Sequence, residues 1–333
     1  MTEEYLWNRN GRPDPDVAEL ERLLGSFRSE TPEPAWPRAP RKSLPASVPL
    51  RAAAAVLVLA CAATLWRGPA RASGSWSVVR LAGSPVAGSA PIGDAARLPI
   101  GEWLETDASS RAALAVSTIG QLQIDPGTRL RLTETREGAH RLTMARGVVH
   151  ALIWAPPGQF VIDTPSSRAV DLGCAYTLEV RPDGSGLIEV TGGWVAFEHG
   201  GRESFVPAGA RCATRPGVGP GTPYLTDAPP ALVAALTVLD TGTASEQAQA
   251  AALSHVLSDA RPDDAVTLWH LLARAPAPSR GAVFDALARA VPPPASVTRE
   301  GIERGDRAMR DAWWGALDLG DIEWWRTWKR SLP

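Results

Sequence analysis

Cysteine is scarce: Cys61, Cys174 and Cys212 are the only three in 333 residues, and no two have the C-x-x-C spacing. That excludes a zinc ribbon and a thioredoxin-type redox motif. Phenylalanine (five), tyrosine (three) and methionine (three) are also few. Charge of neither sign dominates, since 34 Lys+Arg stand against 36 Asp+Glu. A net charge of −2, with no long acidic or basic run, offers no electrostatic reason for a nucleic-acid partner. Chemical motifs are missing too. The glycine cluster Gly217–Gly221 lacks the Lys-Ser/Thr of a phosphate-binding loop. The histidines include no ligand-spaced pair, so His150, His199 and Asp163 carry no metal signature. Asp263-Asp264 sits at a helix start, where capping accounts for both carboxylates. No cofactor, metal or catalytic residue is expected.

The chain is rich instead in turn residues and tryptophan. Thirty glycines and thirty prolines predict many turns and linkers. Hydrophobic residues make up 44%, enough for two modest cores plus a tail. Thirteen tryptophans outnumber the phenylalanines, and Trp313, Trp314, Trp324, Trp325 and Trp328 crowd the C-terminal end.

One uncharged run, Ala52 to Trp66, is short for a bilayer span of about 20 residues. Ala46 to Leu50 are uncharged as well, and Arg51 can snorkel. Proline-rich sequence before it and RGPARASGS after it leave nothing adjacent to cover a core helix, and it lies too deep in the chain for a cleaved signal peptide. Residues 51–67 therefore read as a transmembrane anchor. Arg38, Arg41, Lys42 and Arg51 outnumber Arg67, Arg71 and Arg80, which places the N-terminus in the cytoplasm. Before the anchor, residues 1–50 form a tail. Val17, Leu20, Leu24 and Phe27 recur there at helical spacing after Asp14-Pro15-Asp16. One amphipathic helix cannot fold alone, so these four are candidate partner-binding residues.

Residues 75–215 read as short alternating strands divided by turn signals, an all-β sandwich or roll. RAALAVS places Ala112, Leu114 and Val116 on one face, and Leu130 and Leu132 alternate with Arg129 and Arg131. Pro182 to Gly186 reads as a hairpin turn, Gly192-Gly193 and Gly200-Gly201 as the next two, and Gly217–Pro223 as a linker. Phe160 to Val180 reads as two strands with Cys174 in the second. Residues 228–333 read as a small all-α bundle with helices over Ala231–Leu239, Ser245–Leu257, Pro262–Arg274, Ser279–Ala290 and Gly305–Leu317, and a last turn over Ile322–Arg330. Trp313 and Trp324 are expected to be buried against the third and fourth of these helices, although a tryptophan-lined surface for glycan or protein is the other use of such a cluster.

Cys174 is open to three readings: a nucleophile, half of a disulfide with Cys212 in an oxidising compartment, or a small packed residue. Nothing local activates it, so packing is the expectation.

The β region resembles the FecR domain. Thr164-Pro165, Ala169-Val170 and Gly173 follow that family's strand, Thr-Pro, strand and Gly-Thr pattern, with Cys174 in place of the threonine. Met144 to Ile153, Ile188 to Phe197 and Val206 to Thr214 resemble its x-x-Gly-x segments, and Leu98 to Val116 its start. The resemblance implies a non-enzymatic, single-pass inner-membrane protein with its C-terminal bulk in the periplasm. It also implies an extracytoplasmic-function sigma factor as cytoplasmic partner, with a periplasmic protein or glycan as the other. The tail is shorter than the sigma-binding domains of that family and has no counterpart of their several helices. The alternative is an envelope binding module that engages glycan or protein through its β and helical parts.

Overall fold

The computed structural model describes residues 74–317, which belong to one compact unit, Pro69–Pro333. The tail with Val17, Leu20, Leu24 and Phe27, the anchor at 51–67, and Trp324, Trp325 and Trp328 lie outside the described residues. Among the described helices none is long and apolar enough to cross a membrane.

Strands come first. They are β1 (Ser75–Ala82), β2 (Val86–Ala87), β3 (Ala90–Pro91), β4 (Ala95–Pro99), β5 (Trp103–Glu105) and β6 (Arg111–Val116). Next are β7 (Gly120–Ile124), β8 (Arg129–Arg136), β9 (Ala139–Ile153), β10 (Phe160–Asp163), β11 (Arg168–Asp171) and β12 (Ala175–Val180). The last six are β13 (Gly186–Gly192), β14 (Trp194–His199), β15 (Arg202–Pro207), β16 (Ala210–Arg215), β17 (Gly219–Pro220) and β18 (Tyr224–Leu225). Six helices follow: α1 (Pro230–Thr241), α2 (Glu246–Asp259), α3 (Ala265–Arg274), α4 (Arg280–Ala290), α5 (Arg299–Glu303) and α6 (Arg307–Trp314).

The strands form two sheets that share β9. The outer sheet runs β4-β1-β6-β7-β9-β12-β13-β16, with β17 and β18 both on β16. The middle sheet runs β3-β2-β5-β8-β9-β10-β11-β14-β15, with only β9 and β10 parallel. One apolar core spans both, from Trp76, Leu114 and Leu178 to Leu130, Phe160 and Phe197. The alternation expected in β8 holds: Leu130 and Leu132 are fully buried, and Arg129 and Arg131 stack on the Trp103 ring at 4.2 and 4.9 Å.

The chain changes sheets at a recurring corner. At Leu98/Gly101, Ile124/Gly127, Met144/Gly147, Ala155/Gly158, Val170/Gly173, Val190/Gly193 and Val206/Gly209 a buried apolar residue stands three before a glycine whose φ lies between +68° and +105°. Each glycine falls where backbone leaves one sheet for the other. The apolar residue is buried where the chain leaves the first sheet, and the left-handed glycine turns the chain across. Around Gly147 a single fifteen-residue strand, β9, bends through both sheets. One expectation changes as a result, since Gly192-Gly193 is a corner rather than a hairpin turn. Gly200-Gly201 is the expected two-residue hairpin, with His199 opposite Arg202. Phe160 to Val180 holds three strands rather than two, and Cys174 lies between the second and third.

Corner packing makes a prediction. A Cβ on Gly193 would stand 2.0 Å from the Gly173 carbonyl oxygen, whereas one on Gly200 would meet nothing within 4 Å. Gly200→Ala should cost only the left-handed penalty of about 1–2 kcal/mol, and Gly193→Ala clearly more, because backbone must move. Equal losses in chemical denaturation would refute the corner's packing role.

The helices do not stand apart as a separate bundle. Val161, Val170, Ala196 and Phe205, which point away from the sandwich core, pack with Leu232, Val256, Leu268, Trp269 and Trp314 in a second core. The middle sheet is thus buried on both faces along β10, β11, β14 and β15, and those strands read as continuous apolar runs such as FVI and WVAF. Helix α3 is its central cover, with Ala265 to Leu272 all buried. The expected linker at Gly217–Pro223 also belongs to the fold, since Pro220 and Gly219 pair with Thr214 and Arg215. Helix α5 has no counterpart in the sequence reading, because five residues are too few to show a period; Thr298 caps it by accepting from the Gly301 amide. The other helices fall close to their expected spans.

Candidate functional site

Cys174 and Cys212 are both buried, free thiols. The cysteine pairing is not formed, and the ladder explains why. Cys212 lies opposite Ile188, which lies opposite Leu178. Cys174 is therefore two strands over and four residues along, roughly 16 Å away at ordinary strand spacings. A disulfide needs Cα atoms within about 7 Å. Cys174 Sγ donates to Asp171 Oδ2 at 2.6 Å, and burial with that carboxylate beside it pushes the thiol far above its ordinary range. Such a thiol is not a nucleophile near neutral pH. Cys212 donates to the Gly221 carbonyl oxygen at 3.2 Å, and burial pushes it up to about 12.

Asp171 is the more unusual group. It is 1% exposed, closes the β11–β12 corner by accepting from the Gly173 amide at 2.7 Å, and burial raises its carboxyl to about 7. The set His150, His199 and Asp163 is not assembled. His150 is held by Asp125 and Thr177, while His199 and Asp163 line a different depression. Among the described residues no group of three or more His, Cys, Asp or Glu could hold a metal.

The candidate site is the cleft where β15 meets the helices. Strand β15 is the last of the middle sheet, so its outer edge presents unpaired backbone groups. Helix α3 satisfies them with two side chains one turn apart. The Phe205 amide donates to His270 Nε2 at 3.0 Å, and Arg274 Nη2 donates to the Glu203 carbonyl oxygen at 3.0 Å. His270 Nδ1 donates to the Val266 carbonyl oxygen at 2.7 Å, so the two contacts together select the neutral Nδ1–H tautomer. Arg274 also donates to Thr222 Oγ1 (2.8 Å) and Ser204 Oγ (2.6 Å). Asp240, near the C-terminus of α1, accepts from Arg202 Nη2 at 2.7 Å and from the Thr222 amide and hydroxyl at 2.6 and 2.8 Å. Burial lowers the Arg274 guanidinium to about 10, against the pull of Asp240 and with a further push from Arg202.

Beside this network opens a cleft of about 670 Å³. Its apolar walls are Phe205, Leu239, Trp269, Leu272 and Ile302, and its polar lining includes Arg202, Arg274, Arg280, Arg307 and Arg310. None of this was singled out from sequence. The arginines come from β15, α3, α4 and α6, some hundred residues apart, and only the doubled burial of β15 hinted that helices close over it. Trp313 is buried as expected, and Trp314, not singled out from the sequence, is buried beside it. Trp313 packs on Phe284 at 4.9 Å, and Trp314 meets Trp269, Phe205 and Trp194 at 4.6, 5.5 and 5.6 Å, so it joins helices to sheet.

No family model matches the chain. No curated protein matches it either. Among solved structures, two crystal structures of a candidate anti-sigma factor from Parabacteroides distasonis ATCC 8503 are similar at TM-score 0.32 and 13% identity. The likeness covers 40% of this chain and 63% and 64% of those chains, so this chain spans less than two thirds of their length. At that score the likeness carries no conclusion about function.

Proposed function

We propose that the chain is a non-enzymatic, membrane-anchored regulator of the cell envelope, with a FecR-like β domain. It relays a periplasmic state to a cytoplasmic partner, an extracytoplasmic-function sigma factor. The observation that supports this reading is the corner series. Gly101, Gly147, Gly173, Gly193 and Gly209, which carry the resemblance to that family, each turn the backbone from one sheet to the other. The degenerate sequence pattern therefore has one physical meaning, repeated in order along the chain. The anchor at 51–67 and the amphipathic tail give such a domain a route to the cytoplasm.

Two measurements test the reading. Full-length tagged protein, cross-linked in cells that make it, should recover a sigma factor, and alanine at Val17, Leu20, Leu24 and Phe27 together should abolish the recovery. Reporter fusions after Pro333 should be active in the periplasm. Cytoplasmic activity of the fusion, or no sigma factor with the wild-type chain, would leave the other reading, an envelope module that binds protein or glycan through its folded unit.

A further inference from the structure

The cleft against β15 holds more positive charge than its surroundings neutralise. Five guanidinium groups line it against two carboxylates, Glu203 and Asp306; adding Asp240 behind Arg202 and Asp311, which pairs with Arg310 at 3.6 Å, still leaves five against four. Asp306 is partly committed, because its side chain accepts from the Met309 amide at the start of α6. The arginines differ in what holds them. Arg274, 11% exposed, and Arg202, 28% exposed, belong to the network that fastens β15 to α1 and α3. Arg280 donates only to the backbone oxygens of Ala275 and Glu303, and neither it nor Arg307 has a carboxylate partner among the described residues.

Charge of one sign collected in a partly enclosed cleft is unfavourable unless an opposite charge enters, because the low-dielectric walls strengthen the repulsion. Guanidinium forks suit planar or tetrahedral oxyanions through paired hydrogen bonds. The lining also includes apolar residues, half-buried Leu239 and the buried Phe205, Trp269, Leu272 and Ile302, and the volume lies within the range of small-molecule sites.

We propose that this cleft binds a small molecule carrying an oxyanion, carboxylate or phosphate, on an apolar body. The oxyanion sits between Arg280 and Arg307 and the edge of the Arg202–Arg274 network, and the apolar body lies against Leu239, the half-buried apolar residue of the lining. This site stands independently of the sigma-factor reading: it needs only the folded unit, and its failure leaves the cross-linking and reporter results untouched.

The test is calorimetric titration of the full chain with three probes of similar size: 3-phenylpropionate, phenyl phosphate and neutral 3-phenylpropanol. At least one anion should bind about tenfold more tightly than the alcohol, and its affinity should weaken with added salt. Which anion wins separates a carboxylate source from a phosphate source. Arg307→Gln, at an exposed position, and the double variant with Arg280→Gln should each weaken the anion while leaving the melting temperature close to wild type. Equal binding of alcohol and anions, absence of heat with all three, or unchanged affinity in both variants would overturn the proposal.

Discussion

Trp314→Ala is expected to lower the stability of the folded unit by about 3–5 kcal/mol, the range for truncating a large buried aromatic side chain. The indole is 2% exposed and touches Trp194 and Phe205 of the middle sheet and Trp269 of α3. Its removal leaves a cavity shared by sheet and helices, which neither layer can close alone. For a unit of this size the melting temperature should fall by roughly 10 °C. Trp154, 61% exposed, is the control, and its alanine variant should change stability by less than about 0.5 kcal/mol. Because the helices share the second core with the middle sheet, which also forms the sandwich core, the whole unfolding transition should move together. A calorimetric scan in which a sheet transition stays in place while a helical one drops alone would show that the layers fold independently.

The second large effect is a pH dependence. Burial raises the Asp171 carboxyl from its ordinary 3.8 to about 7 in the folded state. The folded chain therefore holds this proton more tightly than the unfolded chain does. The contribution of Asp171 to stability is fully present below about pH 4, declines as pH rises, and is lost above about pH 7, a total of roughly 4 kcal/mol. Asp171→Asn keeps an acceptor for the Gly173 amide and carries no charge at any pH. The difference in unfolding free energy between wild type and variant should swing towards the variant from pH 4.5 to 7.5. Taking the difference cancels the titration of other carboxylates. A difference that stays constant across that range would mean the carboxyl is solvated, and that the β11–β12 corner is open to water.

Sequence and structure agree where a local pattern carries the information. The strand series from Ser75 and the helices from Pro230 follow from period and punctuation, since alternation in RAALAV or RLRLT and the helical spacing in AVTLWHLL need no distant partner. The hairpin at Gly200-Gly201 was legible for the same reason. Gly192-Gly193 was misread because glycine announces a left-handed turn but not which sheet the next strand joins. The cleft was not legible at all. Arg202, Asp240 and Arg274 meet only because β15 is the last strand of its sheet and α3 lies along its edge.

By itself, the sequence determined the order of β then α, the absence of metal and redox motifs, the hairpin at Gly200-Gly201 and the burial of Trp313. Tertiary structure alone decided that the sheet is covered twice, that Cys174 and Cys212 stand apart, and that five arginines face one cleft. The reason is physical: backbone preference and hydrophobic period act over a few residues, whereas burial of a face, distance between thiols and summed charge depend on which strands become neighbours.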